Sequence, residues 1–399
     1  MSTEQRVLVW MCLLVAVNQL GFGGVVPALP LYAASFGVSA SAIGLAIGIY
    51  GLARMVVSAP AGQIADRFGR RHALAIGGLV TALGNLWCAG ATTYPEFIVA
   101  RFIAGAGASL IVTTGQIVLA DITTPERRGR MMAIYQGTFI FAAGIGPLPG
   151  GLLAEHFGLA APFLAYTIAG IVSGAVAWFA VGETRDLPQA RHGHGKAGRP
   201  SFAAQLRLLS RHRGFMLVCL VSLSNAATRT GGLFNIVPII GSERLSLSVD
   251  AIGFALALGS VAGLLAAYPA GMLVDHFGRK AIIAPASMIT GASMLIFCVA
   301  PTYAWFIVAS LVWGLAGGIG GAAPATYAAD SAPEGMNAAT MSMFRMLGDI
   351  GYVAGPILLG LLVDFQGAPT ALVAAAALMV VVGVLFASLA PETYRGRPG

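Results

Sequence analysis

The chain repeats itself at an interval of 209 residues. Gly62-Gln63-Ile64-Ala65-Asp66-Arg67-Phe68-Gly69-Arg70-Arg71 recurs as Gly271-Met272-Leu273-Val274-Asp275-His276-Phe277-Gly278-Arg279-Lys280. The same interval carries Gly105 onto Gly314, Asp121 onto Asp330, Gly146-Pro147 onto Gly355-Pro356 and Gly151 onto Gly360. A duplication of this length divides 399 residues into two halves built on one plan, and stable repeats of one plan fold as similar units.

What those units are made of follows from composition. Hydrophobic residues make up 57% of the chain and charged ones only 10%, whereas a soluble domain carries about a quarter charged residues. A bilayer can solvate so much apolar surface; water cannot. A membrane-crossing helix needs about 20 apolar residues, and twelve such stretches are predicted. They lie near 7–29, 41–64, 73–92, 96–120, 131–154, 160–181, 214–240, 250–273, 281–299, 302–329, 339–362 and 369–389. The expected fold is therefore an all-α membrane protein with twelve transmembrane helices in two six-helix bundles. Residues 1–182 form the first bundle, 183–213 a linker and 214–399 the second, related by an axis along the membrane normal. The first apolar run is too long for a signal peptide, and no small-residue cleavage site follows it.

The 23 Lys and Arg fix the orientation. Eighteen fall on one side, among them Arg67, Arg70, Arg71, Arg127, Arg128, Arg130, Arg279 and Lys280, together with seven in the linker; the other side has Arg244 alone. The positive-inside rule then places both termini and the linker in the cytoplasm of a multi-pass protein of the cell (inner) membrane. The basic balance reports orientation, so no nucleic-acid partner is expected. Linker residues 202–211 read as a short amphipathic stretch at the bilayer surface, and His192 and His194 read as solvated linker rather than a metal site. Cys12, Cys88, Cys219 and Cys298 fall singly within spans and read as packing residues. The chain lacks a G-x-x-x-x-G-K-[ST] phosphate loop, and its His, Asp and Glu lie almost wholly in loops. An enzyme, a nucleotide-driven pump and a bound cofactor are therefore not expected. A monomer bathed in lipid is.

An ionisable group at bilayer depth costs at least about 2.5–3.5 kcal/mol, which makes it a functional candidate by default. Asp349 is the one acid placed deep in a span, about 10 residues and roughly 15 Å into span 11. Arg345 precedes it by one turn, at a spacing that lets the two meet. Asp349 can be read as a proton-coupling carboxylate or as half of a permanent ion pair. Arg54, Arg101 and Arg229 are the other charges within spans, with Arg101 near the outer end of span 4, where snorkelling is possible. Asn225, Arg229 and Asn235 lie in or beside a Gly-interrupted stretch of span 7, matched in span 1 by Asn18 and Gln19. Unwound helix at depth is tolerated where it lines a cavity or is buried in protein. With Arg54, Gln116 and Gln136 these residues form the expected lining of a substrate cavity. Three excess positive charges and no acid in the first helices favour a neutral or anionic substrate.

Gly62 to Arg71, followed by His72-Ala73-Leu74, resembles the G-x-x-x-D-R-x-G-R-R signature between helices 2 and 3 of the major facilitator superfamily, and the second copy at Gly271 sits at the corresponding loop. Gly144 to Gly151 resembles the antiporter motif of the drug/proton exporters, carried by Gly146, Pro147, Gly150 and Gly151. Arg101 to Gly107 is similar to that group's span-4 arginine motif. Glu183-Thr184-Arg185 and Pro391-Glu392-Thr393 resemble the short motif closing each bundle.

The resemblance implies a cytoplasmic latch formed by Gly62, Asp66, Arg67, Gly69, Arg70, Asp121, Asp275 and Arg279. In it Asp66 meets the N-terminal end of helix 11 and Arg70 meets Asp121. Simple positive-inside anchoring is the other reading of the same charges. His276 departs from the signature and no Arg follows Asp330, so the first latch is expected to be the stronger. The glycines and prolines of spans 5 and 11 are expected to be hinges or tight packing points. The implied activity is alternating-access transport, with protons as coupling ions, exporting a small amphipathic or drug-like compound; Asp349, Arg345 and Arg101 are the coupling candidates. A carrier of an anionic metabolite using buried arginines is the alternative. A membrane sensor or scaffold, which would call for an appended soluble domain, ranks last.

Overall fold

The computed structural model describes residues 3–123, 125–184, 207–321, 323–332 and 337–393. Every regular element among them is helical. The first half runs α1 (Thr3–Val25), α2 (Leu29–Ala34), α3 (Ala40–Phe68), α4 (Arg70–Gly90), α5 (Tyr94–Ile122), α6 (Pro125–Ile145), α7 (Pro147–Phe157) and α8 (Ala161–Ala180). The second begins with α9 (Arg213–Ala227), a π-helical segment (Thr228–Ile236) and α10 (Val237–Leu245). It continues through α11 (Val249–Phe277), α12 (Lys280–Val299), α13 (Tyr303–Gly320), α14 (Ala323–Asp330), α15 (Asn337–Gln366) and α16 (Ala368–Leu389).

Among the described residues, eleven helices are long and apolar enough to cross a membrane. The expected seventh span corresponds to Arg213–Leu245, which is helical throughout but divided into three pieces. Its sequence explains the division. Gly231 and Gly232 weaken the α-helix, Thr228, Arg229, Thr230 and Asn235 add polarity, and Pro238 removes an amide donor. Span 5 is divided similarly at Gly146, where Pro147 starts α7. Large apolar side chains lie on the outside, with Phe179 and Phe365 both 83% exposed. That surface suits hydrocarbon and would be a liability in water.

The chain resolves into two compact units. Unit 1 comprises Met1–Val38, Ile49–Ala197 and Ser248–Ala257. In it α4 packs between α5 and α8, and α1 packs on α6 and α8. The contact of α4 with α8 is backbone on backbone: a Cβ on Gly78 would lie 2.5 Å from the amide nitrogen of Gly174. Without a hydrophobic drive between helices in lipid, such small-residue approach is what holds them together.

Unit 2 comprises Ser39–Gly48, Gly198–Leu247 and Leu258–Gly399. Here α12 packs between α13 and α16, the same plan 209 residues on, and α9 packs on α15. Its core joins Phe215, Tyr327 and Phe386, and the Tyr327 hydroxyl donates to the Pro391 carbonyl at 2.6 Å. The units depart from the sequence halves at two places. Residues Ala40–Gly48 of α3 group with unit 2, and Val249–Ala257 of α11 group with unit 1.

Candidate functional site

The repeated signature builds the same charged cluster in each unit. In unit 1, α3 ends and α4 begins across Gly69, whose φ of +94° is a backbone conformation reserved for glycine. The turn brings the first amides of α4 against Glu183. Its carboxylate accepts from the Arg70 N–H at 3.0 Å and the Arg71 N–H at 3.4 Å. A helix N-terminus presents unpaired amides and partial positive charge, so a carboxylate fits there.

The Arg70 side chain, itself 6% exposed, turns inward. Nε donates to Asp121 Oδ2 at 2.9 Å, and Nη1 donates to the Ala65 carbonyl at 3.1 Å and pairs with Asp66 Oδ1 at 2.8 Å. Thr184 donates its hydroxyl to the same Asp121 oxygen at 3.1 Å. Signature, α5 terminus and closing motif thus form one network. The expected Arg70–Asp121 pair is present, and Asp66 additionally serves Arg70 within its own loop. Arg67 lies over Phe68, its Cζ 5.5 Å from the ring centroid. Gly62 sits in α3 with only Ile117 near the position of a Cβ.

Unit 2 repeats this more loosely. Gly278 has φ +90°, and Glu392 accepts from the amides of Arg279 and Lys280, both at 3.2 Å. Arg279 Nε donates to Asp330 Oδ2 at 3.0 Å. The Arg70–Asp121 side chains are 6% and 8% exposed, and the Arg279–Asp330 side chains 14% and 34%. Water weakens the second pair more than the first. The side chain of Asp275 lies outside the described residues.

A second constellation is buried in unit 1. Arg101, on α5, is 2% exposed. Of the positions open to it, Arg101 takes one inside the protein rather than snorkelling: its Cζ lies 4.5 Å from the Tyr50 ring centroid. The Tyr50 and Tyr166 hydroxyls are 3.1 Å apart. Tyr166 donates to Asn18 Oδ1 at 3.4 Å, and Asn18 Nδ2 donates to Gln19 Oε1 at 3.1 Å. Asn18 and Gln19, expected on a cavity wall, are therefore buried in this chain of polar contacts. Nothing in the repeat pointed to Tyr50 or Tyr166, since the position 209 after Tyr50 is Gly259.

In unit 2 the π-helical segment opens α9. Arg229 is exposed, its Cζ 5.5 Å from the Phe234 ring centroid. Asn225 is half-buried, while Asn235 is buried and donates weakly to the Pro356 carbonyl at 3.4 Å. Thr230 donates to the Tyr352 carbonyl at 3.1 Å. Asp349 and Arg345 lie one turn apart on α15, and both are exposed. The Asp349 side chain is exposed rather than enclosed by the protein. It stands ~18 Å along α15, and a charge at such depth is stable where it meets water or a partner. Arg54 and Gln116 are half-buried and Gln136 is exposed, all in unit 1.

The glycines of the antiporter-like motif have two separate partners. Gly146 and Gly150 lie against the backbone of Gly23 and Gly24 in α1, whereas Gly151 lies against Val249 and Asp250 of α11. In unit 2, Gly351 and Gly355 lie against α9, and Gly360 against Ala40 and Ser41 of α3.

Duplicated helical units that cross the membrane are a recurring plan of transporters. The match to the Major Facilitator Superfamily covers residues 11–244 and 226–399. The chain belongs to that superfamily; it is a multi-pass membrane transporter of small molecules and not an enzyme. An uncharacterised MFS-type transporter of Methanocaldococcus jannaschii is 22% identical over 92% of this chain and 94% of its own length. Multidrug resistance protein MdtL of Shewanella oneidensis is 25% identical over 67% of this chain and 66% of its own. Citrate exporter 1 of Aspergillus niger is 31% identical over 37% of this chain and 28% of its own. Among solved structures, the nucleoside transporter NupG superposes with a TM-score of 0.79 at 14% identity, covering 95% of this chain and 98% of that one.

Proposed function

We propose that the protein is a proton-coupled exporter of a small amphipathic compound, working by alternating access as a monomer with both termini in the cytoplasm. The observation that carries the reading is Asp349, an exposed acid on a membrane helix. A proton-carrying carboxylate must load and unload from an aqueous path, so accessibility serves this role better than burial would. The antiporter-like glycines of span 5 and the similarity to a multidrug resistance protein support export. Asp66 adds the switch: beyond its bond to Arg70, it engages the N-terminal end of α15 when the cytoplasmic side is closed. Arg101 acts as a fixed positive charge that biases the protonation of the path.

Arg229 supports a second reading, a carrier of organic anions. It is exposed at depth in unit 2, where a guanidinium is suited to a carboxylate. The partial similarity to a citrate exporter agrees with it. One screen separates the two. Purified protein is melted in the presence of ethidium, chloramphenicol or citrate, and each compound is then tested for proton-linked movement in everted vesicles. Stabilisation by ethidium or chloramphenicol with proton release supports export of amphipathic compounds. Stabilisation by citrate alone, lost in Arg229→Ala, supports the anion carrier.

A further inference from the structure

At the ends of the units opposite the Gly69 and Gly278 loops, a second device repeats at the same 209-residue interval. In unit 2, Asp364 stands in the last turn of α15. Its Oδ1 accepts from the Ala40 N–H at 2.7 Å and its Oδ2 from the Ser41 N–H at 3.0 Å, the first two amides of α3. In unit 1, Glu155 stands in the last turn of α7, and its Oε2 accepts from the Val249 N–H at 3.1 Å, the first amide of α11. Glu155 and Asp364 are 209 apart, as are Ala40 and Val249. The same acid meets the same helix start twice.

The backbone beneath each contact repeats as well. A Cβ on Gly360 would lie 2.5 Å from the Ala40 carbonyl, and one on Gly151 would lie 2.6 Å from the Val249 carbonyl. One turn further along, Gly44 meets the Pro356 carbonyl and Gly253 meets the Pro147 carbonyl. The starts of α3 and α11 are thus seated on α15 and α7 with no side chain between, and the carboxylates close the seats. These two helices are also the ones whose residues divide between the units. Ala40–Gly48 belong to unit 2 and the rest of α3 to unit 1; Val249–Ala257 belong to unit 1 and the rest of α11 to unit 2. Each carboxylate grips the start of a helix whose remainder belongs elsewhere.

We propose that Asp364 and Glu155 form a paired outer latch, released when α3 and α11 leave their seats in the half of the cycle that opens the outer side. The distribution of Lys and Arg places these ends outside, so the latch is the counterpart of the cytoplasmic clusters and does not depend on what is transported. Its grip is a charge-assisted hydrogen bond to a helix N-terminus. The two copies are unequal. Asp364 holds two amides, whereas Glu155 holds one and stands near Asp250, a like charge that Ser248 engages with its hydroxyl. Asp364 is therefore the stronger grip.

The test uses the full chain in lipid nanodiscs, with the four native cysteines replaced. Spin labels are placed at Leu45 and Phe365 to follow the α3 seat, and at Phe254 and His156 to follow the α11 seat. Asp364→Ala is expected to raise the long-distance fraction of the first pair two- to fivefold, the equivalent of ~0.4–1 kcal/mol for a charge at a helix end. Glu155→Ala should do less at the second pair, and the double variant most at both. Asp364→Asn, which keeps an acceptor and the shape, should fall between wild type and Asp364→Ala. Label mobility at Leu45 should not change, which distinguishes release from fraying. Unchanged distances in the double variant, a larger effect of Glu155, or mobility that rises with no new long distance would each overturn the latch.

Discussion

Replacing Gly69 by alanine tests how the signature loop works, because its two costs can be separated. The backbone at Gly69 has φ +94° and ψ 155°, a conformation that costs a residue with a Cβ on the order of 1–3 kcal/mol. The added methyl would also collide with the Glu183 carboxylate. Expelling that carboxylate loses its bonds to the Arg70 and Arg71 amides, and a hydrogen bond to a charged group is worth roughly 1.5–3 kcal/mol. Strain and one lost bond together give about 2.5–6 kcal/mol. For a unit of this size that corresponds to a fall in apparent Tm of about 5–24 °C.

The double-mutant cycle with Glu183→Ala isolates the collision. In the Glu183→Ala background, Gly69→Ala should cost only its strain, leaving a coupling of about 1.5–3 kcal/mol. Thermal unfolding of the four purified proteins measures it. The cost at Gly278 should be smaller, since a methyl there would stand 2.8 Å from the Glu392 carboxylate, which is exposed and freer to move. Additive losses at Gly69 and Glu183 would refute the reasoning.

Three further outcomes are expected. Asp121→Asn leaves the buried Arg70 with Asp66 as its carboxylate partner and should cost about 1.5–3 kcal/mol, while Asp330→Asn, in the more open unit 2 pair, should cost clearly less by the same unfolding assay. Asp66 is 52% exposed, so Asp66→Asn should change stability by less than about 1 kcal/mol; it should nonetheless slow transport and shift cytoplasmic spin-label distances toward the open state. Tyr50→Phe keeps the ring beneath Arg101 and should cost about 1 kcal/mol for its hydroxyl; Tyr50→Leu removes the ring and should cost about 2 kcal/mol more, read from the same melting curves.

Much of this architecture is legible in the sequence because the bilayer and the duplication both leave periodic marks. Apolar length reveals the spans, the 209-residue interval places the two signature loops, and the resemblance to the major facilitator signature implies the Arg70–Asp121 pair. Where the sequence is silent, tertiary context decides. The burial of Arg101 is not legible because nothing in a linear pattern reveals that Tyr50 waits inside unit 1. The exposure of Asp349 is not legible because depth along a helix is visible in sequence and the direction of a side chain is not. Span 7 reads as interrupted at its glycines and polar residues, but the form of the interruption, a π-helical segment at Thr228–Ile236, follows from packing that composition does not encode. Glu155 and Asp364 did carry a signal, an acid repeated in register, but it lay outside every recognised motif. The capping role of Glu183 was hidden for a different reason: its partners are backbone amides, which have no letter in the sequence.

The account stands or falls on the role of Asp349 as the proton carrier, and a flux measurement tests that directly. Wild type and Asp349→Asn are reconstituted into liposomes holding an internal pH dye, an inward or outward pH gradient is imposed, and the compound found in the melting screen is added. Wild type should move that compound against its concentration gradient while discharging the pH gradient. Asp349→Asn should bind it with an unchanged melting shift and exchange it without a gradient, yet neither concentrate it nor move protons. Uphill transport by Asp349→Asn at the wild-type rate would contradict the assignment.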